Sequence, residues 1–305
     1  MIAGDTAGPL ETLVNDGWNY HATDSGRLAR ELEAAAAEGV ASDLLVPFLH
    51  LSIHTIGEHL GEWARALRLG KRVLEGQTPA AETARAWGRL HVAAILAGEP
   101  IEAAVLELAC LRSAGENFGA ALLDMRFMLA GALVASKRAG EAALVYRGAL
   151  DVSGQIRPSP LLDRTIAVAS NNLGWELYEM PTRSPHEDDL MRLAARMSLE
   201  FWLRCGNWVN TERGHYLNAL VASAAGDPRS SLAHADAALA IISANGERPL
   251  DAALLQLARA VSLAALGDDH GKACAIGDAD AAASKLTATN LQEQFAAARA
   301  RVASS

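Results

Sequence analysis

Two histidines and a glutamate, each four residues from the next, are the residues of this 305-residue chain best suited to holding a metal ion. His50, His54 and Glu58 stand at i, i+4 and i+8, so an α-helix places their side chains on one face. Two imidazoles one turn apart can bind a divalent metal, and a carboxylate one turn further on offers a third ligand. His59 adjoins this group. The sequence favours the other interpretation, in which these histidines are neutral and pack at helix contacts. A metal site is therefore the second hypothesis.

Motifs for other kinds of chemistry are missing from the sequence. It contains no P-loop, no G-x-G-x-x-G after a strand and no G-x-S-x-G, and Leu51 follows His50 where H-E-x-x-H zinc proteases have glutamate. Cys110, Cys205 and Cys274 lie far apart without C-x-x-C spacing, so we expect buried thiols in a reducing cytoplasm rather than disulfides or zinc ligands. These absences favour a non-catalytic chain without a cofactor.

Aromatic residues are concentrated in one section of the chain. Six of its fifteen Phe, Trp and Tyr residues fall between positions 175 and 216. They are Trp175, Tyr178, Phe201, Trp202, Trp208 and Tyr216. Such a group either packs two large helices together or lines a binding groove, and the sequence leaves both interpretations open. Asn171, Asn172 and Asn218 favour the groove, because packing alone does not need amides.

The composition indicates which elements must position these side chains. Alanine is the commonest residue and aromatics make up 5%, which predicts an all-α protein whose helices approach closely through small side chains. The formal net charge of −9 argues against a nucleic-acid partner. Charged residues interrupt the apolar segments, and no basic start with an apolar run opens the chain. We therefore expect no membrane span, no signal peptide and a cytoplasmic location.

A helical hairpin recurs along the chain. Each junction consists of a glycine, an acidic residue, an alanine a few residues later and a second helix beyond. Gly61, Gly98 and Gly140 mark three junctions spaced by 37 and 42 residues, and Gly226 and Gly267 mark two more that are 41 residues apart. A glycine can end one helix in a left-handed conformation, and the acid can begin the next, where the helix dipole favours negative charge.

This pattern resembles the tetratricopeptide repeat (TPR), with periods longer than the family's usual one. Small residues recur after the junctions at Ala66, Ala103 and Ala142, and the first helices fit through Trp87-x-x-Leu90 and Asn172-Leu173-Gly174. The resemblance implies an all-α solenoid, an α-α superhelix of about six to seven helical hairpins closed by a C-terminal capping helix. We expect one domain over 1–305, made of an opening hairpin at 9–38, repeats at about 42–77, 80–114, 116–154, 160–206, 207–246 and 248–286, and a cap at 288–302.

The same resemblance implies that the first helix of each hairpin lines a concave groove. Seven side chains are placed on that groove by their positions in the repeat: Asp124, Phe127, Asn171, Trp175, Tyr178, Arg213 and Tyr216. We therefore expect a binding or scaffold protein that recognises a protein or peptide partner, or a small ligand, without contacting nucleic acid or membrane. The oligomeric state stays open. The alternative is a metal-binding protein or metalloenzyme that uses His50, His54 and Glu58.

Overall fold

The computed structural model of the chain describes residues 8–303, whose regular structure is entirely helical. The helices are α1 (Pro9–Asp16), α2 (Ser25–Glu38), α3 (Leu45–Ile53), α4 (Trp63–Leu74), α5 (Ala84–Leu96), α6 (Pro100–Ala114), α7 (Phe118–Ala135), α8 (Ala139–Ser153), α9 (Pro160–Glu179), α10 (Pro185–Cys205), α11 (Trp208–Ala224), α12 (Pro228–Asn245), α13 (Pro249–Ala265), α14 (Asp269–Ala283) and α15 (Thr289–Ala303). A π-helical segment, His54–His59, follows α3 directly. The predicted all-α class is confirmed.

Contacts divide the chain into two compact units. Unit 1 runs to Arg157 and contains α1–α8, and unit 2 begins at Pro158 and contains α9–α15. Within unit 1, α5 pairs with α6 and α7 with α8; within unit 2, α9 pairs with α10, α11 with α12 and α13 with α14. The first helices of neighbouring pairs also touch each other inside each unit. These contacts confirm the predicted stack of helical hairpins, and each hairpin falls within one predicted repeat.

The hairpin junctions have the predicted backbone conformation at most positions. Gly98, Gly226 and Gly267 have φ angles of 78°, 75° and 79°, in the left-handed region that a side chain disfavours. The acids that follow the last two, Asp227 and Asp268, accept hydrogen bonds from backbone N–H groups of the next helix at 3.1 and 2.8 Å. Each of these acids therefore caps the second helix of its hairpin.

The junction predicted at Gly140 is wrong. Gly140 lies inside α8, and the left-handed residue is Lys137, with φ 61°. The backbone N–H groups of Lys137 and Arg138 donate to carbonyl oxygens of α7 at 2.9 and 2.8 Å, which closes that helix before the glycine is reached. Lys137 adopts the conformation expected of the glycine. A search for glycine alone therefore places this junction three residues too late.

Small residues allow the helices to approach closely, as the repeat pattern predicted. Ala66, Ala103 and Ala142 are all buried. At Gly70 on α4, an added Cβ would come within 2.2 Å of the Leu90 side chain on α5. The Leu90 side chain thus occupies the space that a larger residue at position 70 would need.

The polar sequence PTRSPHEDD (181–189) is mostly helical. Its last five residues begin α10, which is capped by Ser184. Arg183 donates through Nη1 to three carbonyl oxygens at the end of α9, at 3.0–3.2 Å, and through Nε to Asp188 at 2.8 Å. The connection between α9 and α10 is therefore held at both ends by one side chain.

One further expectation, that all three thiols are buried, is wrong, and one apolar segment needs description. By length and composition alone, one segment, 100–135, could cross a membrane, although the sequence predicted none; 56% of its apolar window is buried, and core helices pass the same test. The thiols also differ in burial: Cys110 is buried, Cys205 is half-buried and Cys274 is exposed. Ala275 and Ala279 are the buried residues of α14, and Cys274 lies away from them.

Candidate functional site

Three aromatic rings from α9 and α11 meet in unit 2. Trp175 lies with its ring centroid 5.8 Å from Tyr178, the planes at 86°, and also 5.8 Å from Tyr216, the planes at 54°. All three side chains are half-buried. Edge contacts of this kind contribute about 0.5–1.5 kcal/mol per pair beyond their buried area. We call Trp175, Tyr178 and Tyr216 the aromatic cluster.

The C-terminal helix α15 lies beside the aromatic cluster. Tyr216 packs against an apolar cluster that includes Leu254 of α13 and Val302 of α15, and Phe295 and Ala298 of α15 pack against the same residues. Tyr216 also packs against a second cluster formed by α11, α12 and α13. The Tyr216 side chain therefore packs against two parts of the core of unit 2, and part of its ring remains exposed.

The tyrosine hydroxyls of the cluster are in a poorly solvated place. Burial raises the pKa of Tyr178 and of Tyr216, and the positive charge of Arg301 on α15 partly opposes that rise in both. The guanidinium of Arg301 is thus close enough to act on both rings. One basic side chain of α15 faces the surface on which the sequence placed the binding residues.

The polar residues predicted to accompany the rings have different roles. Arg213 is exposed, with Nη2 3.7 Å from a carboxylate oxygen of Asp251, and the Asn171 amide donates weakly to Asn172 at 3.4 Å. Asn218 donates to two backbone carbonyl oxygens, one on α10 and one on α11, both at 2.8 Å. Asn218 is therefore a structural amide, and the argument that it favours a groove fails.

Asp124 and Phe127 of α7 are engaged within unit 1. Asp124 accepts two hydrogen bonds from the Arg85 guanidinium of α5, at 2.9 and 3.1 Å. Phe127 is 5% exposed and lies 5.2 Å from the Tyr146 ring. The predicted contact residue Phe127 is therefore a core residue, because the helix face that carries it turns towards α8.

His50, the first of the predicted metal ligands, is a half-buried packing residue. Burial lowers its pKa to about 3, with a smaller effect from the positive charge of Arg89. Its ring lies 4.9 Å from the Trp18 ring but 6.4 Å from that of His54. His50 therefore stays neutral and does not join His54 as the sequence predicted.

The other two predicted ligands, His54 and Glu58, contact each other directly. His54 Nδ1 lies 2.5 Å from Glu58 Oε2, and His54 Nε2 lies 3.1 Å from His59 Nε2. A third imidazole, that of His21, packs against both rings with centroid distances of 5.0 Å. One nitrogen from each of His21, His54 and His59 lies within 4.8 Å of the others. We call these three residues the histidine cluster.

The π-helical segment brings His54 and His59 together. In an α-helix, residues five apart point about 140° away from each other. In a π-helix, with about 4.4 residues per turn, they point within about 50°. Leu60 N accordingly donates to Thr55 O, five residues back, at 3.2 Å. Gly57 permits this turn to pack, because a Cβ there would lie 2.4 Å from the Trp63 ring.

His21 reaches the cluster from the opening hairpin. It lies in the turn between α1 and α2, where its Nδ1 hydrogen bonds to Trp18 O at 2.7 Å and its carbonyl accepts from Ser25 Oγ at 2.6 Å. Sequence reasoning missed it because it is 33 residues from His54. The available signal was the concentration of five of the nine histidines between positions 21 and 91.

Comparisons with known proteins add little to this description. No family model matches the chain, and no curated protein matches it either. A solved structure, the crystal structure of BtubC (BKLC) from P. vanneervenii, is similar over 75% of this chain and 92% of that chain, with 16% identity and a TM-score of 0.47. A similarity of that size carries no functional argument. What is shown is an all-α protein of helical-repeat type.

Proposed function

We propose that this chain is a non-catalytic, TPR-like binding protein whose protein or peptide partner docks on the first helices of unit 2. The observation that carries the proposal is the aromatic cluster, in which Trp175 and Tyr178 of α9 meet Tyr216 of α11 with all three rings partly exposed. Interface hot spots are enriched in Trp, Tyr and Arg at partly enclosed places.

The partner's chemistry follows from α15, which packs next to the cluster. Phe295, Ala298 and Val302 stand at i, i+3 and i+7, which is the spacing by which an amphipathic helix fills a groove. Arg301 adds a positive charge near the tyrosine hydroxyls. We therefore propose that the partner is an amphipathic helix whose apolar anchors, at a similar spacing, meet the aromatic cluster.

The rings are held in place before any partner arrives, which supports the proposal energetically. Contacts within the cluster and with α13 already fix the Tyr216 side chain. Ordering a free side chain on binding costs about 0.5–1.5 kcal/mol, so a preformed cluster avoids part of that cost.

A photo-crosslinking amino acid at the exposed position 172, three residues before Trp175 on α9, tests the proposal. We expect it to capture a partner from native lysate and to map to an amphipathic helix of that partner. A synthetic peptide of that helix should then bind the full chain one-to-one, and Trp175→Ala should weaken binding about 30-fold, equivalent to about 2 kcal/mol. Tyr216 is left intact because its loss would disturb two core clusters.

Exposed apolar residues elsewhere provide matched controls. Leu203 on α10 is 63% exposed, and Ile101, Val105 and Leu108 form an exposed stripe on α6. Leu203→Ala and Val105→Ser should leave peptide affinity unchanged. The proposal is wrong if the peptide binds equally well to Trp175→Ala, or if Val105→Ser abolishes binding while Trp175→Ala does not.

A further inference from the structure

Three imidazoles in unit 1 lie close together. His21 comes from the α1–α2 turn, and His54 and His59 come from the two ends of the π-helical segment. Their nearest ring nitrogens lie within 4.8 Å of one another. We propose that the histidine cluster binds a divalent transition-metal ion of the zinc class through these three nitrogens, with one coordination position left open.

Hydrogen bonds to the other ring nitrogens prepare two of the ligands. Trp18 O can only accept, so His21 Nδ1 carries a proton and donates it at 2.7 Å, which leaves Nε2 of the neutral ring with a free lone pair. The Glu58 carboxylate accepts from His54 Nδ1 in the same way at 2.5 Å, and His54 Nε2 is then the nitrogen that points at the cluster.

The separation of the ligand nitrogens fits a tetrahedral ion. Two nitrogens bound at about 2.0–2.1 Å to a tetrahedral zinc ion lie about 3.3 Å apart. His54 Nε2 and His59 Nε2 are 3.1 Å apart. Without metal, one proton on His59 Nε2 accounts for this contact by donating to His54. When the ion binds, this proton moves from Nε2 to Nδ1 of the neutral His59 ring, so that the ion can bind Nε2. The His21 ring then moves closer to the ion.

Glu58 acts as an orienting partner rather than a ligand. Metal-bound histidines usually donate their second N–H to a carboxylate or a carbonyl, and both kinds of acceptor are in place here, Glu58 for His54 and Trp18 O for His21. Three neutral imidazoles select zinc, copper or nickel over magnesium or calcium, which prefer oxygen ligands. His59 is exposed, so an ion can enter from solvent.

Zinc titration of tag-free protein tests the site. By calorimetry in metal-free buffer we expect one zinc ion per chain, and Co²⁺ in its place should give the visible absorption of a four-coordinate ion. His21→Gln, His54→Gln and His59→Gln should each weaken zinc binding by more than about 100-fold. Glu58→Gln should weaken it about 10- to 100-fold, as outer-shell changes do.

Two other histidines are matched controls. His50 is four residues from His54 but outside the cluster, and His234 belongs to a separate pair in which its Nδ1 lies 3.0 Å from that of His215. His50→Gln and His234→Gln should leave the zinc affinity unchanged. Equal zinc binding by wild type and His54→Gln, or loss of binding with His234→Gln alone, would overturn the assignment.

A measurement on the unaltered chain guards against variants that fail to fold. In ¹⁵N spectra of the histidine rings, zinc should shift the Nε2 resonances of His21, His54 and His59 and leave those of His50 in place. An absence of zinc-induced shifts at all three rings would also overturn the proposal. The site is independent of the aromatic cluster, so neither result bears on the partner proposed for unit 2.

Discussion

At the scale of single residues, Glu212 on α11 is the clearest departure from ordinary protein chemistry. Its side chain has no exposed surface, and neither carboxylate oxygen has a hydrogen-bond partner among the described residues. Burial, reinforced by the negative charge of Asp251, raises the pKa of Glu212 to about 7. The residue is therefore protonated below neutral pH, and above it a charge is held inside the helix stack.

Glu212 should make the stability of the protein depend on pH. Because its folded-state pKa of about 7 lies above the ordinary value of 4.5, the folded protein holds one more proton than the unfolded chain between those pH values. The free energy of unfolding therefore falls as pH rises through that window and levels off above it. We expect Glu212→Gln to be more stable than wild type at pH 8, by up to about 3 kcal/mol, and similar to it at pH 4.

Urea unfolding at a series of pH values measures this effect. Glu179→Gln, an exposed change on α9, is the control and should follow the wild-type curve. If the free energy of unfolding of wild type and Glu212→Gln changes with pH in the same way, the pKa of Glu212 is not raised by folding and the prediction is wrong.

At the scale of elements, the α9–α10 connection shows how one side chain replaces a capping glycine. α9 ends without a left-handed residue, and Arg183 instead binds the last carbonyl oxygens of the helix. A positive charge is favoured there by the helix dipole. The side chain is 16% exposed, so its hydrogen bonds are largely protected from water.

Arg183→Ala should therefore destabilise unit 2. Charge-assisted hydrogen bonds contribute about 1.5–3 kcal/mol, so we expect the free energy of unfolding to fall by roughly 2 kcal/mol. Amide hydrogen exchange should rise in the last turn of α9 and the first turn of α10. Arg196→Ala, at an exposed position of α10, is the control, and an equal loss in both variants would contradict the capping role of Arg183.

At the scale of the molecule, α15 covers apolar surface of unit 2. Leu257 of α13 is 3% exposed and Val302 of α15 is 7% exposed, both in the cluster against which Tyr216 packs. Solenoids need a terminal element of this kind because the last hairpin otherwise presents an apolar face to water. The predicted cap is accordingly part of the core as well as a neighbour of the aromatic cluster.

Removal of 288–305 should expose that surface. We expect higher fluorescence of an apolar dye, a lower melting temperature and association that increases with concentration in light scattering. Val302→Ala is the milder variant and should cost about 1–2 kcal/mol without association, since it removes two methyl groups from a buried place. Unchanged dye binding and melting after the deletion would mean that α15 covers nothing.

The helices and their hairpin pairing could be predicted from the sequence because they depend on local features. Left-handed glycines and buried alanines encode several of the hairpins within about forty residues, and capping acids follow two of those glycines. The Lys137 junction was misplaced because a non-glycine residue adopts the same backbone conformation. Local rules fail where the chain satisfies them with an unusual residue.

The candidate sites depended on contacts between distant segments, and only the tertiary structure decided them. The sequence grouped His54 with His50 by α-helical spacing, whereas a π-helical turn and the α1–α2 hairpin join it to His59 and His21 instead. Phe127 was assigned to a groove but lies in the core, and packing between α9 and α11 brings the rings of Trp175, Tyr178 and Tyr216 together. Helical periodicity fixes which residues share a face, but packing between helices decides which of those faces meet.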